Sequence, residues 1–352
     1  MPPHATMEPL QSFDALGREW QTLEAVGEPS YFQSWTWVGC RAEERFPDPF
    51  LLRVEDGGRL IGLALLNRRR GRLYLSESGE VEQDRIFVEH NAPLAAAGRE
   101  YDVAAMLSQA AWRLPGTRRL VVSGVAPAML RAIGDTVIRQ QCREAPYVDL
   151  QAIRTAGQTC IASLSANTRQ QIRRSMRHYA AGGDLAIDRA ETEEQARAWF
   201  GELVDLHGRS WRRRGQPGAF TPTLMRFHQD LLGRAMARGE LDLMRITGGT
   251  GVVGYLYNFR FRGRISAYQS GFDDADPGPA GKPGLTCHLM AMERALAAGD
   301  RVYDLLAGDH RYKRSLARGS TTMVWAEVAP AGSMAGLAAR LTQHARRLLS
   351  RI

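Results

Sequence analysis

The apolar residues Phe13, Leu16, Trp20 and Leu23 recur at helical spacing, so residues 10–30 predict an amphipathic helix. Trp35 and Trp37 in YFQSWTWVGC place a second helix directly after it. The period then shortens. Runs 50–54 and 60–67 flank Asp56-Gly57-Gly58, and a glycine turn between two apolar runs is a hairpin signal. Strand-like runs follow at 72–76 and 85–89, and a helix at 101–113 with a strand at 119–123 completes an α/β unit.

The later residues repeat this order. A basic helix is predicted over 164–179, with Ser165 or Asn167 as its N-cap, and further helices over 191–214 and 221–238. Runs 241–247 and 252–260 form a hairpin around Gly248-Gly249-Thr250-Gly251, and strands follow at 265–271, 302–306 and 323–328. DGGRLIGLALL and GGTGVVGYLYNF both carry a glycine turn that feeds a strand holding a further glycine. The pattern reads as a duplicated α/β unit, although glycine-turned hairpins occur in any mixed sheet. The expected boundaries are 1–150, 151–330 and a basic amphipathic helix over 331–352.

The densest chemistry lies between Tyr268 and Lys313. YQSGFD ends a strand, a loop carries Gly278, Gly281 and Gly284, and a helix starts after Pro283-Gly284. The first N–H groups of a helix have no partner inside it, so such a start collects anions. The loop candidates for a phosphate-bearing donor are Gly281, Lys282, Gly284, Leu285 and Thr286. A second strand ends at Gly308-Asp309, with Tyr312 and Lys313 just beyond. A carboxylate can orient or deprotonate a nucleophile, and an ammonium can stabilise an oxyanion. The alternative is a strand-ending turn followed by a solvated lysine. Tyr268 and Gln269 end the preceding strand; Tyr268 reads equally as a half-buried β-aromatic, and Gln269 as an amide in need of partners.

Composition narrows the class. The 352 residues are 44% hydrophobic and 24% charged, which suits a globular protein of two domains. The net charge of +8 is clustered in arginines, so it marks local patches. Cys40, Cys142, Cys160 and Cys287 show no paired spacing, which argues against a disulfide framework and a zinc site and predicts a cytoplasmic protein without a metal. MPPHATMEPL lacks the pattern of a secretory signal, and no apolar run is long enough to span a bilayer.

YQSGFD, the Pro-Gly helix start, Tyr303-Asp304, Gly308-Asp309 and Tyr312-Lys313 together resemble the CelD/BcsL acetyltransferase group of the GNAT-like superfamily, which is similar to the FemABX peptidyltransferases. FQSWTW at 32–37, HNAPL at 90–94, APYVDL at 145–150 and LSANTRQQIRRSMRHY at 164–179 extend the resemblance over roughly residues 20–328. The resemblance implies an α/β fold of two tandem GNAT-like mixed-sheet domains with flanking helices. It also implies an acyl-CoA donor, acetyl-CoA foremost, and transfer to a nucleophile of a small molecule or polysaccharide precursor. Lys313 would serve the oxyanion, with Asp309, Tyr312 and Gln269 beside it, and Asn91 in HNAPL joins the substrate-binding candidates. Gly281-Lys282-Pro283-Gly284 departs from the usual compact pyrophosphate loop. Aminoacyl transfer from charged tRNA, and a non-catalytic binding protein with the same fold, remain open.

Arg169, Arg173 and Arg177 share a helix face where like charges repel, so Arg173 and Arg177 are candidates for donor phosphates, an acidic acceptor or nucleic acid, against a simple solvated face. Met334, Leu337, Leu341, Leu348 and Ile352 lie at helical spacing among Arg340, Arg346, Arg347 and Arg351. Such a segment packs on its own domain or a partner, or lies on an anionic membrane surface.

Overall fold

The computed structural model describes residues 3–349 except 87, 217, 250, 274–277, 279 and 309, and gives the backbone alone for 343–349. The chain forms two compact units, one comprising Met1–Arg143 and Thr322–Ile352, the other Glu144–Thr321.

The first unit runs β1 (His4–Pro9), α1 (Phe13–Val26), α2 (Trp35–Ala42), β2 (Pro49–Asp56), β3 (Arg59–Arg69), β4 (Arg72–Leu75), β5 (Leu94–Ala95), α3 (Glu100–Arg113), β6 (Arg119–Val125) and α4 (Pro127–Ile133). Ser12 caps α1 by accepting the Ala15 amide, and Trp20 is buried while its indole N–H donates to the Gln33 carbonyl at 2.9 Å. β1 to β4 pair antiparallel in order, and β6 joins β4 in parallel. Leu52, Val54, Ala64 and Leu66 of the sheet pack against Val103, Ala104 and Leu107 of α3 in one core. A Cβ on Gly62 would lie 2.4 Å from the Val103 side chain, so glycine is what lets this helix approach the sheet.

β7 (Thr136–Asp149) carries the chain into the second unit. There follow α5 (Leu150–Thr155), α6 (Cys160–Ser163), α7 (Ala166–Tyr179), β8 (Ala186–Arg189), α8 (Glu193–Arg213), α9 (Pro222–Ala237), β9 (Leu241–Gly248), β10 (Gly251–Phe261), β11 (Arg264–Phe272), α10 (Pro283–Ala297), β12 (Val302–Asp304) and α11 (Arg311–Leu316). β8 to β11 pair antiparallel, β12 joins β11 in parallel, and the end of β7 pairs antiparallel with β12. Leu285, Leu289 and Met292 of α10 pack with Leu256, Ile265 and Tyr303 on one face of the sheet. β13 (Gly319–Ala329) then returns the chain to the first unit, where it pairs with β6, and α12 (Met334–Leu349) follows.

The order strand, two helices, three strands, helix, strand occurs in both units, with the two-residue β5 inserted before the helix of the first, as the repeated glycine hairpins predict. The hairpins match in detail: the register slips at Ile61, before Gly62, and again at Val253, before Gly254. Four expectations shift. Among the described residues of the run 85–89 none is in a strand; Ile86 and Val88 are buried from a loop. The run 302–306 stops as a strand at Asp304, because Leu306 takes a φ of +59°. The basic helix starts at Ala166 with Ser165 as cap. The edge strands β1 and β8 were not foreseen because each buries at most one residue and so carries little apolar signal.

Candidate active site

The second unit splits its sheet. β11 and β12 pair only at Arg264–Val302, Ile265–Tyr303 and Ser266–Asp304. β11 runs on to Phe272, whereas the chain after Asp304 turns off. Asp304 enforces the turn: one carboxylate oxygen accepts the Leu306 amide at 2.8 Å and the other accepts from Arg264 at 2.7 Å. The amides of Leu305 and Gly308 bond the carbonyls of Pro146 and Glu144 instead of β11. On its other edge β11 bulges, since Tyr257 faces Gln269 and Asn258 faces Ala267, which leaves Tyr268 as the extra residue. The outcome is a wedge between the end of β11 and the 305–308 turn.

α10 starts at this wedge. Lys282 donates its amide to the Ser175 hydroxyl of α7 at 2.9 Å, and Ser175 bonds the Thr286 hydroxyl at 2.8 Å. The glycine loop is thereby clamped to the arginine helix. No side chain caps α10, and Pro283 has no N–H to satisfy, so the amides of Gly284 and Leu285 are the helix's outward donors. Lys282 is exposed beside them, Gly281 is buried, and the side chains of Leu285 and Thr286 are turned into the core. A Cβ on Gly284 would stand 3.3 Å from the Phe272 ring. Here glycine provides room against β11 and is not needed for a left-handed backbone.

Lys313 is 8% exposed, so the solvated alternative is overturned. Its ammonium donates to the carbonyls of Leu306 (3.2 Å) and Ala307 (2.9 Å), which fixes a positive charge under the turn that lines the wedge. Tyr312, half-buried, stacks on His288 with centroids 5.3 Å apart and planes at 13°. Phe272 meets the same imidazole edge-on at 6.1 Å, so an aromatic column links the end of β11, α10 and α11. Burial pushes the Tyr312 phenol up to about 12, which keeps it a proton donor at neutral pH.

His288 lies on α10 and belongs to no motif in the sequence. It is 3% exposed, its Nδ1 hydrogen-bonds the Tyr303 hydroxyl at 2.9 Å, and its Nε2 has no hydrogen-bond partner among the described residues. Burial, and then the Lys313 charge, lower its pKa to about 3, so the imidazole is neutral. A buried orphan nitrogen is costly unless something meets it. Its only sequence signal is a histidine one helical turn beyond Gly284, on an otherwise apolar helix face.

Tyr268 joins an aromatic cluster on the α8–α9 face, with Tyr257 at 5.5 Å, Phe259 at 5.4 Å and His228 at 6.0 Å. His207 secures the same strand, donating from Nδ1 to the Ser270 carbonyl and accepting the Ala219 amide at Nε2. Gln269 is half-buried at the bulge. Arg173 and Arg177 are exposed on α7, whose Ser175 holds the loop. Asp309 lies outside the described residues. The wedge therefore gathers the loop residues, Gln269, Tyr312 and Lys313 in one unit, and does not gather Asn91.

Asn91 sits in the first unit's counterpart. There β4 and β6 pair in parallel over three residues, then part. Asn91 fills the gap: its backbone N–H bonds the Gly124 carbonyl, and its side-chain amide donates to Leu75 (3.3 Å) at the end of one strand and Ser123 (3.2 Å) on the other. Gln33 donates to the carbonyls of Ala92 and Pro93 behind it, so FQSWTW and HNAPL meet. Gly124 has a φ of +68° and its Cβ would lie 2.1 Å from the Val88 carbonyl. This split is closed by its own chain.

Residues 166–314 match the family model of an acetyltransferase (GNAT) domain, a span that holds the wedge. Among solved structures the fold resembles FemX, with a TM-score of 0.60 at 9% identity over 91% of this chain and 96% of that one. It is similar to a conserved protein of unknown function from Bacteroides thetaiotaomicron, with a TM-score of 0.58 at 9% identity over 93% and 100%. It also resembles a domain described as the C-terminal part of a lysylphosphatidylglycerol synthetase from Agrobacterium fabrum, with a TM-score of 0.57 at 12% identity over 93% and 95%. No curated protein matches the sequence. The chain is thus a mixed α/β protein of two units with a shared element order, and its second unit carries the span that matches the acetyltransferase (GNAT) domain model. Among the described residues no group of His, Cys, Asp and Glu could hold a metal, and no helix is long and apolar enough to cross a membrane.

Proposed function

We propose that this chain is a CelD/BcsL-like acyltransferase whose second unit takes an acyl group, acetyl or longer, from acyl-CoA and passes it to an amine or hydroxyl of a saccharide or cell-envelope precursor. The observation that carries this reading is the β11–β12 wedge, with an uncapped helix start at one side and the buried Lys313 ammonium at the other. The Gly284 and Leu285 amides and Lys282 suit a pyrophosphate, since all three are donors and the helix dipole favours negative charge. The donor thioester would supply the activated acyl carbon. Lys313 then meets the oxygen of that carbon as the acceptor attacks and charge develops on it. The new bond to nitrogen or oxygen forms, the C–S bond breaks, and the donor leaves as a thiolate to which the protonated Tyr312 phenol can donate a hydrogen bond. The neutral Nε2 of His288 offers a hydrogen bond without adding charge. Gln269, beside the bulge, and Tyr268 would orient the acceptor; Asp309 would receive its proton.

The exposed Arg173 and Arg177 next to the loop favour a second reading, aminoacyl transfer from charged tRNA, as implied by the FemABX resemblance. Titration calorimetry with free CoA, acetyl-CoA and tRNA separates the readings. Acyl-transfer from CoA predicts binding of both CoA ligands. Binding of tRNA alone, weakened by Arg173→Glu/Arg177→Glu and steeply by salt, would replace it with the second reading. Binding of CoA without turnover against a panel of amines and alcohols would support a non-catalytic protein.

A further inference from the structure

α12 presents the wrong face to the unit that carries it. Ser333 caps the helix by accepting the Gly336 amide at 3.1 Å, and the Arg340 guanidinium donates to the Thr136 hydroxyl at 3.1 Å, so the helix is held at its start and at Arg340. The residues turned inward are small: Gly336 is buried, and Ala335 and Ala339 are half-buried. Among the described side chains of α12, the large apolar ones are turned out. Met334 is 89% exposed, Leu337 51% and Leu341 73%. A surface helix ordinarily buries its large apolar stripe and exposes its small or polar one. Spacings of three and four residues put Met334, Leu337 and Leu341 on one stripe, so their exposure is contiguous and not scattered.

The charge of the segment says what the stripe fits. Arg340, Arg346, Arg347 and Arg351 follow one another with no acidic residue after Glu327. A protein groove would need its own acidic lining to meet this charge, and a second copy of the helix would bring four like charges against four. An anionic bilayer meets both features together. Aliphatic side chains enter the boundary between headgroups and acyl chains, and arginines reach lipid phosphates from the flank. We propose that α12 is a docking helix for an anionic membrane surface, with Met334, Leu337 and Leu341 as the inserting residues and the arginines as the electrostatic component. This contact would hold the protein at the surface where an envelope precursor is found, but it rests on α12 alone and not on the acyl-transfer reading.

The test is sedimentation of the full chain with vesicles of phosphatidylcholine alone and of phosphatidylcholine with equal phosphatidylglycerol. The protein should sediment with the anionic vesicles and not with the neutral ones, and less so as salt rises. Leu337→Glu/Leu341→Glu should lower anionic-vesicle binding by about tenfold or more. Both positions are exposed, so thermal unfolding should be unchanged and loss of binding cannot be misread as loss of fold. Absence of binding to anionic vesicles, equal binding to both vesicle types, or wild-type binding by the double variant would each overturn the proposal. So would a concentration-dependent dimer abolished by the same variant, which would make a second copy the occupant.

Discussion

In the proposed reaction the chemistry turns on Lys313. A charge held against two carbonyls at 8% exposure is preorganised, and it acts most strongly on charge that appears only in the transition state. Lys313→Ala should lower kcat by about 10²–10³-fold, roughly 3 kcal/mol, with a much smaller change in donor affinity. Steady-state kinetics with donor binding measured separately would check this; wild-type kcat would remove Lys313 from the mechanism. His288 makes a pH prediction. Its folded pKa of about 3 lies below the unfolded value near 6.5, so the unfolded chain binds the extra proton between them. Its contribution is therefore present above pH 6.5 and is lost as pH falls toward 3, by about 2 kcal/mol at pH 5. In denaturant melts the stability of wild type relative to His288→Phe should fall by about 2 kcal/mol as pH drops from 7 to 5; an unchanged difference would show that the imidazole titrates normally. Asn91→Ala should cost about 1–3 kcal/mol, because it strands two buried carbonyls. Donor binding should be unaffected, and a selective loss of donor or acceptor binding at constant stability would instead make Asn91 a ligand. These roles were only partly visible in the sequence. Lys313 could be named from its place after a strand end, whereas its burial, and the convergence of His288 with Tyr312, depend on segments that meet only in the fold.

Among elements, α10 was the most legible. Pro283 at its first turn and the apolar run behind it marked its start directly, and the structure begins it at Pro283. The wedge was not legible, because it arises from a bulge at Tyr268 and an early end to β12. Neither leaves a periodic trace, and the apolar run simply continues through Leu305 and Leu306. The role of Gly284 also changes with the structure. A valine there must displace the Phe272 ring and so disturb both sides of the loop mouth. Gly284→Val should weaken CoA binding by about tenfold or more in a variant whose circular dichroism is unchanged, since the helix-start donors lose their approach. Unchanged affinity in the folded variant would move the donor site. The clamp of Ser175 on Lys282 and Thr286 shows that the arginine helix and the glycine loop are adjoining elements, so charge changes on α7 and loop changes need not act independently.

At the scale of the molecule, the duplication read from DGGRLIGLALL and GGTGVVGYLYNF extends to the matched bulges before Gly62 and Gly254. What the repeat could not say is which copy works. Both units split a parallel strand pair after three residues, but in the first Asn91 bonds both strands, while in the second the strands part around a helix start and a buried lysine. The proposed donor site therefore lies in the second unit alone. Hydrogen exchange with and without acetyl-CoA tests this directly. Protection should appear in 281–289 and 304–308 and be absent from 88–92 and 120–125. Protection confined to the first unit, or none in either at saturating acetyl-CoA, would contradict it.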